Sequence, residues 1–332
     1  MNETALLWFE RLYSRLRIPF FAGAVFVSLL MLGILALCYL LAGVWSDFLL
    51  RSAYYASFAP GVVLLCQIVS RYASKQVKGL VEYSKSMTED NKSISTDALY
   101  GLKGILVIWG LFLLTIQPLY WRIAPKSYTL YQSFITSYAP FVYFLFFIAT
   151  LVWVIVYSMV SIYRMGKLQM RLTHFAEDHT LGLRPFGVAT LRIYAVFILT
   201  LAYMILPQYI FGIETDPTAP VGHLSFTLVM VVFFLLPLVS FHSKLVNAKR
   251  EKLRRILERY AEVVRRFEKG SPNEIDPNAT AELLAAKEVL RDVQQIRTWP
   301  FDTGILVRLA AFLLSLAGIL LARVIYTFIV PF

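Results

Sequence analysis

The sequence predicts an all-α fold: a polytopic seven-helix membrane bundle, N-terminus cytoplasmic and C-terminus outside, with a cytoplasmic helical hairpin. Three observations predict it. Of 332 residues, 58% are hydrophobic and only 16% charged, more apolar surface than a soluble core requires. Seven apolar runs approach the roughly 20 residues that a helix needs to cross hydrocarbon. No ten-residue stretch alternates with period two, which argues against an outer-membrane barrel.

The runs are Pro19–Leu41, Tyr54–Ser70, Gly104–Trp121, Pro140–Tyr163, Gly187–Phe211, Phe226–Phe241 and Gly304–Val330. The first is too long for a cleaved signal peptide, and no small-residue cleavage site follows it. The second is short and contains Pro60. Cys38 and Cys66 lie inside runs and read as small core residues. The net charge of +11 reads as loops beside anionic lipid rather than as nucleic-acid binding.

Charge orients the chain. With the N-terminus inside, 26 of the 32 Lys and Arg residues fall in cytoplasmic segments, and only Arg122 and Lys126 fall in an outer loop. Arg51, Arg192, Arg308 and Arg323 lie in or at the ends of runs. The positive-inside rule therefore gives N-terminus in and C-terminus out. That orientation, and a last run without Lys, argue against a rhodopsin or a G-protein-coupled receptor.

The sixth run continues beyond the membrane. From Phe226 to about Phe267 only Pro237 interrupts helix-forming sequence, so one helix of about 60 Å is expected. Its distal part carries Leu253, Leu257, Tyr260, Val264 and Phe267 at a spacing of four, three, four, three, a coiled-coil seam. Gly270 and Pro272 end it. A second helix is expected from about Thr280 to Arg297, with Leu283, Ala286, Leu290 and Val293 on one stripe. The chain thus divides into runs one to six (1–243), the hairpin (244–303) and the last run (304–332). The hairpin either packs on itself or assembles several subunits.

The last run carries small residues at Ala311, Ser315, Gly318 and Ala322, which let another helix approach closely. Beside them stand Arg308, Phe312, Ser315, Ile319, Arg323 and Tyr326. This mixed face either packs inside the bundle or lines a pore. In the pore reading Phe312 or Ile319 forms an apolar constriction, Ala322 and Tyr326 join the lining, and Arg323 forms a positive ring. Aromatic residues crowd the outer ends of the runs. Most read as interfacial anchors; Tyr120, Trp121, Tyr143 and Tyr203 are candidates for a pocket that takes a small apolar ligand.

Some chemistry is missing. No run contains Asp or Glu, which weakens an ion-coupled carrier. The stretch "HFAEDH", His174 to His179, misses zinc-site spacing. No phosphate-binding loop or nucleophile elbow is present, so neither an enzyme nor a cofactor is expected. Asn2, Asn91 and Asn278 begin N-x-S/T matches, but all three fall on the cytoplasmic side.

The organisation resembles the seven-transmembrane ion channels typified by insect odorant and gustatory receptors. The shared features are the span count, the orientation, the long extension of span six and the split final helix. In "RVIYTFIVPF", Tyr326 and Phe332 resemble the Tyr and closing Phe of that family's terminal motif. The resemblance implies four subunits meeting at a cytoplasmic anchor, a pore lined by the last span, and ligands bound between outer halves of other spans. The segment from Pro237 to Ile325 also looks like uncharacterised prokaryotic membrane proteins with a "His…Lys-rich helix…Trp-Pro-Phe" pattern. The expected function is a homo-oligomeric, tetrameric ion channel of the cell membrane. The alternatives are a non-conducting scaffold or receptor subunit and an uncoupled small-solute carrier.

Overall fold

The computed structural model describes residues 6–50, 52–88, 95, 97–123, 128–172, 178–210, 219–269 and 277–300, together with Gly304, Val307, Ala311, Leu314, Gly318 and Leu321. Among them every element is helical apart from a single bridge between Thr88 and Met170. The order is α1 (Trp8–Arg15), α2 (Phe20–Leu41), α3 (Trp45–Leu50), α4 (Ser52–Met87), a short 3-10 turn (Asp97–Tyr100), α5 (Leu102–Ile123), α6 (Leu130–Ser133), a π turn (Phe134–Tyr138), α7 (Ala139–Lys167), α8 (Arg184–Ile210), α9 (Ala219–Lys269) and α10 (Pro277–Gln294). Among the described residues three helical stretches are long and apolar enough to cross a membrane: Phe20–Leu41, Leu130–Lys167 and Arg184–Ile205. Leu102–Thr115 is a shorter apolar helix.

Local chemistry fixes the ends. Helix α2 has no charged residue, follows Pro19, and stops where Gly43 takes the left-handed conformation (φ 70°). There the Val44 amide donates to Tyr39 O (3.1 Å) and the Gly43 amide to Leu40 O (3.1 Å), a Schellman closure that uses up the last free carbonyls. Helix α1 ends with the same bonds, but with Arg17 in the left-handed position (φ 55°), a conformation that costs about 1–2 kcal/mol for a non-glycine residue.

Helices α4 and α7 form the centre. Helix α4 packs against α2, α7 and α8, and α7 against α5 and α9. The core fills with Val62, Val63, Cys66, Val69 and Val77 of α4, Phe147, Leu151, Val154, Met159 and Ile162 of α7, and Tyr194, Phe197 and Ile198 of α8. Both central helices outrun their apolar stretches: α4 continues to Met87 and α7 to Lys167. At that end the Arg171 amide, just after α7, donates to Met87 O (2.7 Å), and the Tyr83 hydroxyl of α4 donates to Gly182 O in the turn before α8 (3.0 Å). Lys75, Lys78, Lys85, Arg164, Lys167, Arg171, Arg184 and Lys244 gather toward this basic end.

Helix α1 is tucked into the bundle rather than left as a free arm. Phe9 and Tyr13 are buried, the Tyr13 ring sits against Gly23, and its hydroxyl donates to Gln67 Oε1. Trp8 Nε1 donates to Thr150 Oγ1 (3.1 Å), and Arg11 donates to Tyr100 O (2.6 Å). Glu10 Oε1 forms an ion pair with Arg71 Nε at 2.9 Å while Oε2 accepts from the Leu7 amide. The Arg71 guanidinium lies 4.0 Å over the Phe20 ring.

A second polar knot precedes α8. The Asp178 carboxylate accepts from the Thr180 amide (2.8 Å), the Thr180 hydroxyl and the Gly182 amide (2.9 Å). Burial pushes this carboxyl up, but those hydrogen bonds and the Arg184 charge outweigh it and hold it below its ordinary 3.8. A depressed carboxyl stabilises the fold above its ordinary range, and that stability is lost as pH falls through the lowered value. Asp178→Ala is therefore expected to cost about 1 kcal/mol at pH 7 and almost nothing below the Asp178 titration. Thermal unfolding across pH checks this; a pH-independent difference would refute it.

Candidate functional site: the hairpin and the last helix

Helix α9 runs unbroken for 51 residues through Pro237, longer at its start than the stretch from Phe226 to about Phe267 expected from the sequence, and α10 packs along it. The hairpin seam is built from Leu253, Ile256, Tyr260, Val263 and Val264 of α9 against Leu283, Ala286, Leu290 and Val293 of α10. Val293 and Ile296 are fully buried at its base. The seam expected from the sequence is corrected at one position. Leu257 points outward, 45% exposed, and Ile256 takes the inner place. Apolar residues at 253, 256, 257, 260, 263 and 264 support two neighbouring stripes, and the crossing of α10 selects one. The side chain of Phe267 lies outside the described residues.

The base of the hairpin is clamped to the bundle. Lys249 Nζ donates to Gln294 O (2.6 Å) and Ile296 O (2.9 Å), satisfying carbonyls that the end of α10 leaves free. His242 stacks on Trp299 with ring centroids 4.2 Å apart, and its Nδ1–H donates to Thr298 O at 2.8 Å. The Arg297 amide donates to His179 O (3.0 Å), which ties this segment to the Asp178 turn. Lys244 donates to Leu168 O at the end of α7, and burial holds its ammonium below the ordinary lysine range. Gly166 lets α7 approach α9 at Ser240, and Phe186 stacks on Phe241 at 4.8 Å. The segment after α10, up to Trp299, is therefore held by α9 and by the Asp178 turn.

Every described residue of that last helix is exposed: Gly304, Val307, Ala311, Leu314, Gly318 and Leu321. Their spacing of three, four, three, four, three places them on one face. Phe312, Ser315, Ile319, Ala322, Arg323 and Tyr326 lie outside the described residues.

Of the four aromatic residues considered for a pocket, the side chains of Tyr120 and Trp121 also lie outside the described residues. Tyr143 is half-buried and donates to Val27 O at 3.3 Å. Tyr203 stacks on Phe58 at 6.5 Å and closes over Gly61, and Phe58 meets Phe144 at 6.1 Å. Tyr143 packs instead on Phe147, with ring centroids 5.1 Å apart. Among the described residues no group of three or more His, Cys, Asp or Glu side chains is placed to hold a metal.

His242, Lys249 and Trp299 carry the clamp; the His…Lys-rich helix…Trp-Pro-Phe pattern contains them but does not show that they meet. The available signal was the Trp-Pro-Phe break after α10, which reads as a stop but not as a docking segment. No family model, curated protein or solved structure matches the chain.

Proposed function

We propose that the chain is one subunit of a homo-oligomeric, tetrameric ion channel of the cell membrane, with seven spans, N-terminus inside and C-terminus outside. The single observation that supports this reading most is the recurrence of small residues along the last run. A helix surrounded only by lipid has no need of Gly304, Ala311 and Gly318 at regular intervals between Val307, Leu314 and Leu321. Small residues let a second backbone come close. In this reading the adjoining face, Phe312, Ser315, Ile319, Ala322, Arg323 and Tyr326, lines the path at the shared axis. The hairpin assembles the subunits, and the segment between α10 and the last helix passes movement from one to the other. A small apolar ligand binds among Tyr120, Trp121, Tyr143 and Tyr203. The resemblance to the odorant and gustatory receptor channels agrees with this organisation.

The mass of the detergent-solubilised complex tests the assembly, and planar-bilayer recording tests conduction. A monomer overturns the proposal. In a conducting preparation, Arg323→Ala is expected to shift the reversal potential under an asymmetric salt gradient toward cation permeation, because it removes a ring of positive charge. An unchanged reversal potential removes Arg323 from the conduction path.

A further inference from the structure

Helices α1 and α2 end in the same hydrogen-bond closure but fill its left-handed position differently. At the end of α2 that residue is Gly43, φ 70°. At the end of α1 it is Arg17, φ 55°, with the Arg17 amide donating to Ser14 O (3.1 Å) and the Ile18 amide to Tyr13 O (3.0 Å). Glycine takes this conformation without strain and is the usual residue there. Among the described residues one other non-glycine, Leu181, has a positive φ (55°), and its side chain is fully buried in the core. Packing accounts for Leu181. It does not account for Arg17, which is exposed and makes no side-chain hydrogen bond, ion pair or ring contact among the described residues.

The surface around Arg17 is apolar and basic. Leu12, Arg15 and Leu16 are exposed and stand three and four residues apart, so they share one face at the end of α1. Ile18 and Phe21 continue the exposed apolar surface, and Phe21 is 67% exposed. Glu10 is the one acidic residue between Leu6 and Ser46, and Arg71 already neutralises it at 2.9 Å. Arg11 is turned to the Leu6 and Tyr100 carbonyls. The free charge of this corner is therefore that of Arg15 and Arg17. Its depth follows from α2, whose 22 residues extend about 33 Å, close to the thickness of the hydrocarbon. With α2 as a span, Phe20 stands at the hydrocarbon boundary and Arg17, three residues earlier, at the level of the headgroups.

We infer that the corner between α1 and α2 binds an anionic phospholipid: Arg15 and Arg17 hold the headgroup phosphate, and Leu16, Ile18 and Phe21 lie against the acyl chains. A guanidinium suits a phosphate because its planar donors match the phosphate oxygens. The backbone strain that glycine would relieve is retained because the side chain at 17 has a ligand to hold. The inference rests on α2 as a membrane span and on nothing about assembly or conduction.

Thermal unfolding of the full chain in neutral detergent, titrated with phosphatidylglycerol, tests it. The wild type is expected to unfold several degrees higher at saturation, and no higher with phosphatidylcholine or inorganic phosphate at the same concentration. Arg17→Gly is expected to unfold above the wild type before lipid is added, because the strain is gone. The same variant is expected to require about fivefold more phosphatidylglycerol for half its rise. These opposite signs separate lost lipid binding from misfolding. Arg250→Gln, which removes an equal charge from an exposed position on α9, is the control and should keep the wild-type titration. Equal titrations of Arg17→Gly and wild type, an equal rise with phosphatidylcholine or phosphate, or an equal loss in Arg250→Gln overturns the inference. So does an Arg17→Gly chain less stable than wild type before lipid is added, since the side chain would then be held within the protein. Release of the wild-type chain from membranes by alkaline carbonate overturns the span on which the inference rests. A monomeric or non-conducting wild type bears on the channel reading alone and leaves the lipid site standing.

Discussion

Glu10→Ala is expected to destabilise the protein by about 3 kcal/mol, the largest effect of a single side-chain deletion outside the hydrophobic core. Glu10 is only 11% exposed and holds Arg71 at 2.9 Å. Removing one member of a buried pair leaves the other charge without its counter-ion, a loss of about 3–5 kcal/mol. Arg71 is 28% exposed and keeps some water, which places the effect at the lower end. The same deletion releases the Leu7 amide at the start of α1. Glu10→Gln keeps an acceptor for that amide but not the charge, and is expected to lose about half as much. Thermal unfolding in detergent measures both, and Trp8 fluorescence reports undocking of α1. Wild-type unfolding in Glu10→Ala would show that α1 is held by its apolar face alone.

Gly104→Val is expected to cost a similar amount, about 3 kcal/mol, by the opposite mechanism. A side chain at 104 would enter the space of the Trp153 indole. That ring is held in place: Trp153 Nε1 donates to Ala98 O at 3.1 Å, and the ring packs on Tyr157, whose hydroxyl donates to Ser95 O at 3.0 Å. Overpacking of this kind costs about 1–3 kcal/mol, and displacement of the indole adds about 1 kcal/mol for its hydrogen bond. Gly110 on the same helix has open space beside it, so Gly110→Val is the internal control and should change little. Equal unfolding of the two variants would refute close packing of α5 on α7.

The apolar helices were legible because length and hydrophobicity suffice to find them. Pro19–Leu41 as read is α2, and the expected continuation of helix through Pro237 toward Phe267 is α9. What escaped depends on partners distant in sequence. Trp8, Glu10, Arg11 and Tyr13 look like a loose amphipathic arm until Thr150, Arg71, Tyr100 and Gln67 stand around them. Helix α4 runs on to Met87 although Ser70 ends its apolar stretch, because α7 and the Asp178 turn supply neighbours below that point. The exchange of Ile256 for Leu257 in the seam is of the same kind: periodicity narrows the choice to adjacent stripes, and packing makes it. The residues proposed to line the conduction path were chosen by composition alone, since no stripe of the last run is marked by spacing against a known neighbour.

Helix α9 has the mechanical properties of a beam. Its 51 residues extend about 77 Å, and a coil of that length without a break is stiff along its axis. Pro237 lacks the amide that would complete the ladder, so bending compliance concentrates there. Five to twelve residues further on, His242, Lys244 and Lys249 grip the neighbouring backbone. Force applied at the tip of the hairpin therefore acts about a fulcrum beside the grip, and sideways travel of the far end is converted into tilt of the apolar half.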